Sequence, residues 1–335
     1  MKIIVPMAGL GKRMRPHTLT VPKPLVPIAG KPIVQRLVED IVKVCGEAVD
    51  EVAYIIAPSF GKTVEDNLKA IAATQGAIGT IHYQEEALGT AHAILCAQSA
   101  LEGKVVVAFA DTLFKADFTL DTSHEGIIWV NKVEDPRPFG VVKIAGDGHI
   151  SDFYEKPAEF ISDLAIIGIY YFRDGGYLKK ELQYLLDNDI RDKGEYQLTN
   201  ALENMKQKGT RFYPGTVTEW LDCGNKDATV YTNQRYLEFI RGNTLRASSA
   251  KIVNSTIIEP CYLGENVVIE NSVVGPHVSV GDNSSISNSV VSNSIVQTHA
   301  RIDKAIVTNS MLGNYAGIAG QAADLSVGDY NQIKA

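Results

Sequence analysis

The chain has 335 residues, of which 45% are hydrophobic and 21% charged, and a formal net charge of −7. This composition is ordinary for a globular protein with one large or two medium domains, and the negative charge argues against nucleic acid as a partner. The apolar run at the N-terminus is too short for a signal peptide, and no stretch is long enough to span a bilayer, so we expect no membrane contact. Four cysteines without paired spacing predict neither a disulfide framework nor a metal cluster, which fits a reducing cytoplasm.

The first predicted element is a short buried strand over the apolar run 3–5, and a glycine loop follows it. A strand that feeds such a loop presents backbone N–H groups at the carboxyl edge of a sheet, where they suit a phosphate. The backbone groups concerned belong to Ala8, Gly9, Leu10 and Gly11. Arg13 and Lys23 add positive charge beside them, which a tight turn alone does not explain.

Two commoner phosphate loops are excluded by their missing residues. A dinucleotide fingerprint needs a third glycine where Met14 stands, and an acid where the second strand ends in Pro58-Ser59. A Walker A loop ends in Gly-Lys-Ser/Thr, as 61–63 does, but its earlier glycine position holds Ile56.

Strands and helices alternate through residues 1–242, which we predict to form one domain. The predicted helices lie around 33–42, 64–71, 90–100, 177–186, 196–208 and 226–241, and the predicted strands over 51–57, 80–84, 104–110, 127–133, 141–145, 149–154 and 164–172. Thr90 is a candidate N-cap of its helix. The alternation predicts an α/β fold with a doubly wound, mixed but mainly parallel sheet and right-handed crossovers.

Residues 250–320 have a different character, because Asn, Ser, Val and Ile replace aromatic and long charged side chains. Aliphatic residues recur there at gaps of five or six, which suits neither a helix nor a simple strand. They are Ile258, Leu263, Ile269, Val274, Val280, Ile286, Val291, Val296, Ile302, Val307, Leu312 and Ile318. This period predicts a solenoid with about four three-faced coils, and the even spacing argues against a disordered tail. Residues 321–335 are predicted to be a C-terminal tail.

The N-terminal loop belongs to a longer run of mixed residue types. Gly-x-Gly-x-Arg-Met-x-Pro-x-Thr from Gly9, followed by Pro-Lys-Pro-Leu-Val-Pro-Ile from Pro22, resembles the signature of the sugar-1-phosphate nucleotidyltransferases. The second region resembles the left-handed parallel β-helix of hexapeptide-repeat proteins. The resemblance implies a Rossmann-like enzyme that transfers a nucleoside monophosphate from a nucleoside triphosphate to a sugar-1-phosphate, and a homo-oligomer formed through the β-helix.

The resemblance also implies roles for the charged residues. Arg13 and Lys23 are expected to neutralise the triphosphate as catalytic residues. Asp111 follows the apolar strand 104–110, at the sheet edge where open α/β sheets bind ligands, and is expected to bind the nucleotide. Asp111 and Asp222 are expected to hold Mg²⁺, which typically takes one or two protein carboxylates. Taken alone, either aspartate could equally cap a turn.

Two further segments match substrate-binding parts of the family. Gln84, Gly89 and Thr90 match its base-reading segment, whose form here favours UTP or dTTP over ATP or GTP, whereas we expect His92 to be a packed helix residue. The residues expected to bind the sugar phosphate are Gly140, Glu155, Lys156, Ile166 and Gly168. Residues 194–199 resemble a segment near the sugar site, but Asn200 stands where an aspartate is usual, so we assign it no role.

Two alternatives stay open at this point. The β-helix could add acetyl transfer, with His277 and His299 as candidate bases, or the chain could be a regulator that senses nucleotide sugars without catalysis. The second is disfavoured because binding alone needs fewer charges than Arg13, Lys23 and the two aspartates supply. The sequence distinguishes neither UTP from dTTP nor the sugar, for which glucose is the default.

Overall fold

Buried aliphatic strands and amphipathic helices alternate through the first part of the chain. The structure is a computed structural model, and it describes residues 1–320. The predicted tail, 321–335, lies outside the described residues. The first strands are β1 (Lys2–Pro6), β2 (Pro27–Ile28), β3 (Lys31–Pro32), β4 (Glu51–Ile56), β5 (Ile78–Tyr83), β6 (Val105–Ala108), β7 (Thr112–Lys115), β8 (Gly126–Lys132), β9 (Gly140–Ile144), β10 (Ile150–Glu155), β11 (Leu164–Phe172), β12 (Phe212–Thr216) and β13 (Glu219–Asp222). The helices are α1 (Ile33–Cys45), α2 (Lys62–Thr74), α3 (Thr90–Cys96), α4 (Gly175–Asp187), α5 (Leu198–Gln207) and α6 (Lys226–Phe239).

The main sheet is mixed, with strand order β10-β9-β11-β6-β1-β4-β5, while β8 pairs with β11 and β12 with β8. The strands β6, β1, β4 and β5 are parallel, whereas β11 runs antiparallel to β6, β8 and β9. Strand β12 also pairs parallel with β8, so the parallel pairs that we predict are interrupted by the antiparallel strands around β11. Because β1 and β6 are adjacent and parallel, the chain that follows each of them emerges at the same edge.

A separate two-stranded ribbon lies outside the predicted elements. Strand β7 pairs antiparallel with β13, so that Asp222 lies opposite Thr112. The backbone N–H of Cys223 also donates to the carbonyl oxygen of Asp111 at 2.9 Å. This ribbon brings together two aspartates that are far apart in the sequence.

The prediction that Thr90 caps a helix is wrong. Thr90 is the first residue of α3, Gly89 is its N-cap, and no side chain makes a capping hydrogen bond. The hydroxyl of Thr90 instead accepts from the backbone N–H of Leu198 at 2.9 Å and donates to Gln197 at 3.0 Å. The hydroxyl of Thr90 therefore bonds to residues distant in sequence and is not used to cap the helix. The helix also ends at Cys96, before the predicted residue 100.

The second region forms a parallel β-helix with three faces, as the short period predicts. Its strands are β14 (Lys251–Val253), β15 (Thr256–Ile257), β16 (Cys261–Leu263), β17 (Val268–Glu270), β18 (Val273–Val274), β19 (Val278–Val280), β20 (Ser285–Ser287), β21 (Val290–Ser292), β22 (Ser294–Val296), β23 (Arg301–Asp303), β24 (Ile306–Thr308), β25 (Met311–Leu312) and β26 (Gly317–Ala319). They form the sheets β14-β17-β20-β23-β26, β15-β18-β21-β24 and β16-β19-β22-β25. Asparagines with positive φ recur at the corners, where an amide side chain tolerates left-handed backbone.

One predicted inward position of the β-helix is wrong. Ile258 is 43% exposed, whereas Ile257 packs against the apolar interior and pairs in register with Val274. The inward residue of this rung is therefore Ile257, one position before the predicted one, and a shift of one reverses the faces of a strand. Ile318 is also partly exposed, because β26 is the last described rung of its sheet.

Contacts between residues divide the chain into two compact units. The first comprises 1–27 and 31–232, and the second comprises 28–30 and the chain from Asn233 onward. Within the second unit, the buried side-chain oxygen of Asn233 accepts from the backbone N–H of Ala29 at 2.9 Å and from Ser279 at 2.7 Å. Over residues 1–320, no helix combines the length and hydropathy that crossing a membrane requires.

Candidate active site

A cavity of about 400 Å³ opens at the edge of the sheet where β1 and β6 end. Most residues predicted to bind the nucleotide line it: Ala8, Gly9, Gly11, Arg13, Lys23, Gln84, Gly89, Thr90 and Asp111. Leu10 does not line the cavity, and its side chain is 60% exposed. The cavity thus joins the glycine loop, two cations and a carboxylate within one concave surface.

The glycine loop is folded tightly against the segment that carries Lys23. Gly11 has a φ of +58°, and its carbonyl oxygen accepts from the hydroxyl of Thr18 at 2.8 Å. A Cβ atom on Gly11 would lie 3.0 Å from Cβ of Lys23, so a larger residue would push the two segments apart. Arg13 follows in a short 3₁₀ turn, Lys12–Met14, whose Met14 is buried. The buried methionine anchors the turn and leaves Arg13 at the cavity.

Lys23, Asp111 and Asp222 form a charged group beside the cavity, which Lys23 and Asp111 line and Asp222 does not. The ammonium of Lys23 lies 2.9 Å from Oδ2 of Asp111, and the Lys23 side chain is only 10% exposed. Burial and the nearby carboxylate of Asp111 raise the pKa of Asp222, whereas Lys23 and Arg13 act in the opposite direction. Burial and the second carboxylate thus disfavour the charged form of Asp222 more than its contact with Gly224 and the two cations favour it.

The donor set at this point fits a magnesium ion. Among the described residues, no group of three or more His, Cys, Asp or Glu side chains could hold a metal ion. Two carboxylates are nevertheless enough for Mg²⁺, which usually keeps several waters and takes its other ligands from substrate phosphates. Burial first, and repulsion from Asp111 second, raise the pKa of Asp222, and a bound cation would offset both effects.

Replacing Asp222 by asparagine is expected to raise the Tm of the metal-free protein by about 1–3 °C. The amide is neutral, so it removes both the repulsion from Asp111 and the cost of burying a charge, and its oxygen still accepts from the N–H of Gly224. Thermal unfolding of the wild type and the variant without metal checks this. A lower Tm in the variant would show that the carboxylate of Asp222 stabilises the fold instead of straining it.

The end of the cavity that Gln84, Gly89 and Thr90 line is built from two segments that are distant in sequence. The backbone N–H of Ala91 donates to the carbonyl oxygen of Tyr196 at 2.9 Å, and the N–H of Tyr196 donates to that of Leu88 at 2.8 Å. Gly89 lies between them with a φ of +115°, and a Cβ there would lie 2.4 Å from the carbonyl oxygen of Tyr196. The close approach of the backbone at Tyr196 thus explains why residue 89 is a glycine.

The residues predicted to bind the sugar phosphate form a second group. Glu155 lies next to Gly140 and accepts from the hydroxyl of Thr199 at 3.1 Å, and its other oxygen lies 3.1 Å from the ammonium of Lys156. Lys156 has a φ of +43°, an uncommon backbone conformation for a lysine. Ile166 also lies beside Gly140. These four residues do not line the cavity, nor does Gly168.

Phe109 connects the two groups, and the sequence did not single it out. It lines the cavity, and its backbone N–H donates to the carbonyl oxygen of Gly168 at 2.9 Å. Glu195 lines the cavity as well, and its carboxylate accepts from Gln197 at 2.9 Å. Glu195 belongs to the segment 194–199, which resembles a segment near the sugar site of the family. That resemblance could have identified Glu195 as a site residue. For Phe109, its place between a buried strand and Asp111 was the available signal.

Comparison with known proteins agrees with this architecture. The family described as "Nucleotidyl transferase" matches residues 2–238, and the one described as "GlmU-like, C-terminal hexapeptide" matches residues 238–316. A glucose-1-phosphate thymidylyltransferase of Streptomyces antibioticus is 27% identical over 366 residues, which cover 100% of this chain and 99% of that protein. A low-salt glycan biosynthesis nucleotidyltransferase of Haloferax volcanii is 29% identical over 369 residues, which cover 100% of both chains.

Two further similarities cover part of a chain. The bifunctional protein GlmU of Methanococcus maripaludis is 29% identical over 285 residues, which are 83% of this chain and 62% of that protein. A UDP-glucose pyrophosphorylase solved with UDP-glucose shares the fold, with a TM-score of 0.58 and 23% identity over 71% of this chain and 98% of that chain. Since one family covers residues 2–238 and hence most of the chain, the protein belongs to the nucleotidyl transferase family.

Proposed function

We propose that the protein transfers a nucleoside monophosphate from UTP or dTTP to a sugar-1-phosphate, with glucose-1-phosphate as the favoured acceptor, and releases pyrophosphate. The observation that carries the proposal is the single cavity in which the glycine loop, Arg13, Lys23 and Asp111 meet. Relatives that match the whole chain support it, because one is named a glucose-1-phosphate thymidylyltransferase.

The charges of the site suit a reaction between two anions. An oxygen of the sugar phosphate attacks the α-phosphorus of the triphosphate, so electrostatic repulsion is the first obstacle, and positioning and neutralisation carry most of the rate. Arg13, on its exposed turn, neutralises the β- and γ-phosphates and the leaving pyrophosphate. Lys23, held beside Asp111, supplies a compact charge on the other side of the triphosphate.

We propose Mg²⁺ as the cofactor, held by Asp111 and Asp222. When bound between these two carboxylates, the ion would act as a Lewis acid and offset the negative charge of the reacting phosphates. The two carboxylates lie on chain segments joined by the hydrogen bond from Cys223 to Asp111, so the β7–β13 ribbon sets their spacing. This is tested without relying on turnover by measuring the Tm of the substrate-free protein at increasing Mg²⁺ concentrations, and a rise in Tm is expected.

We propose that the second group binds the acceptor sugar. Glu155 accepts hydrogen bonds from sugar hydroxyls, and its contacts with Thr199 and Lys156 orient it. Lys156 binds the phosphate of the sugar. The peptide groups of Gly140, Ile166 and Gly168 supply backbone contacts.

The proposed function is tested by pyrophosphate release over UTP, dTTP, CTP, ATP and GTP, each combined with glucose-1-phosphate, N-acetylglucosamine-1-phosphate and mannose-1-phosphate. Release that requires both substrates and Mg²⁺, and that is largest with UTP or dTTP, is the expected result. A chain that binds UDP-glucose but exchanges no pyrophosphate in either direction would instead be a regulator.

No observation favours acetyl transfer by the β-helix. The imidazole of His277 lies 2.7 Å from Oε1 of Glu238, and that of His299 stacks on Tyr315 with the ring planes 2° apart. Each histidine thus has its own partner in the described structure, and we propose no second activity.

We propose that the β-helix joins copies of the chain in a homo-oligomer. Val273, Val290 and Ile306 stack in register on one sheet, and Val290 is 45% and Ile306 85% exposed. Such an apolar row is typical of a buried interface. Analytical ultracentrifugation of an Ile306→Lys variant, with the wild type as reference, is expected to show a smaller particle, and an unchanged particle would exclude this face. The cytoplasmic location and the absence of nucleic-acid and membrane partners stay predictions.

A further inference from the structure

The side-chain amide of Gln84 is held by two acceptors at the rim of the cavity. Its nitrogen lies 3.4 Å from the carbonyl oxygen of Gly89 and 3.2 Å from Nδ1 of His92. Gln84 follows β5, Gly89 precedes α3 and His92 is the third residue of that helix, so two points of a short segment converge on the amide of Gln84.

These two contacts determine the orientation of the amide, that is, which of its nitrogen and oxygen atoms faces the protein. A carbonyl oxygen accepts hydrogen bonds and cannot donate, so the amide nitrogen and not the amide oxygen must face Gly89. His92 can accept at Nδ1 only when its ring is neutral, with the proton on Nε2. Burial lowers the pKa of His92, against a smaller opposite effect of Glu86, and this favours the neutral ring.

The consequence for a ligand is that the amide presents an acceptor. Both hydrogens of the nitrogen are directed at the protein, and Oε1 makes no hydrogen bond to the described residues. Since Gln84 lines the cavity, this oxygen is the polar atom that it offers to a base. An amide side chain can in general offer both a donor and an acceptor, and here the two contacts leave the acceptor.

We propose that His92 is a positioning residue, which holds the Gln84 amide so that its oxygen reads the imide N–H of uracil or thymine. Cytosine has nearly the same size but carries an acceptor at N3, so it would place a lone pair against Oε1. A site built around a hydrogen bond rejects a ligand that cannot complete it far more strongly than it rejects a change in size. The inference rests on the proposed function and specifies how its nucleotide is selected.

The test compares UTP with CTP, because the two triphosphates differ only at this edge of the base. In the wild type, kcat/KM is expected to be larger for UTP by about 10⁴. In a His92→Leu variant only the longer contact to Gly89, at 3.4 Å, still holds the amide, so it can turn and offer its nitrogen, and the ratio is expected to fall at least tenfold. A His92→Asn variant places an acceptor oxygen close to the position of Nδ1, and it is expected to keep the ratio within about threefold of the wild type.

Three outcomes overturn the proposal. The first is a His92→Leu variant that loses activity equally with UTP and CTP, since a purely structural histidine predicts an unchanged ratio. The second is a His92→Asn variant whose ratio falls as far as that of His92→Leu, and the third is a wild type that does not distinguish the two nucleotides. If the wild type transfers no nucleotide at all, the proposed function fails separately, and calorimetric titration of the same three proteins with UTP and CTP decides the inference from the ratio of Kd values.

Discussion

Replacing Asp111 by asparagine is expected to lower kcat by about a thousandfold or more while the protein stays folded. The substitution removes one of the two carboxylates that we propose hold Mg²⁺, and groups that stabilise transferring phosphates contribute several kcal/mol. The fold survives because the amide oxygen still accepts from Lys23, and because the charge that strains Asp222 has gone. Activity and stability are thus expected to respond independently at this residue.

The measurement is pyrophosphate release at saturating substrates, together with the Tm with and without Mg²⁺. Asp163→Asn is the matched control, because Asp163 is 46% exposed against 45% for Asp111, is paired with Lys132, and does not line the cavity. The control is expected to retain full activity. An Asp111→Asn protein with wild-type kcat, or with an unchanged magnesium-dependent rise in Tm, would remove Asp111 from the metal site.

Replacing Gly89 by alanine is expected to destabilise the protein by about 3–5 kcal/mol. Its φ of +115° is unfavourable for any residue with a Cβ, and that atom would lie 2.4 Å from the carbonyl oxygen and 2.7 Å from the nitrogen of Tyr196. Both obstacles are backbone atoms held by hydrogen bonds to Leu88 and Ala91, so neither can move without breaking the contact that closes the cavity.

Gly61→Ala separates backbone strain from steric overlap. Gly61 is also the N-cap of a helix and has a φ of +79°, but nothing lies within 4 Å of the position of its Cβ. Its replacement is expected to cost only the strain of the left-handed backbone, about 1–2 kcal/mol. Urea unfolding of both variants gives the comparison, and equal losses of the free energy of unfolding would show that Tyr196 yields to the new methyl group.

The elements with continuous apolar runs were predictable from local sequence. Strand β11 occupies the predicted residues Leu164–Phe172, and β6 lies within the predicted run 104–110. The period of five and six residues likewise predicted the β-helix, because each coil repeats one local pattern and buries its aliphatic residues against the next. Ile258 was misplaced by one position, because Ile257 and Ile258 are both aliphatic and a gap of five or six residues before Leu263 fits either of them.

The sequence by itself thus determined the two architectures and the residues of the glycine loop, since glycines, cations and buried strands act within a few positions of each other. The tertiary structure alone decided which distant groups meet. The four-residue strand β7 is too short to be recognised, yet its pairing with β13 brings Asp222 to Asp111. In the same way, the orientation of the Gln84 amide depends on His92 and on a carbonyl oxygen. Pairing across a sheet and hydrogen bonds between loops gain their free energy from partners that no local pattern of residues identifies.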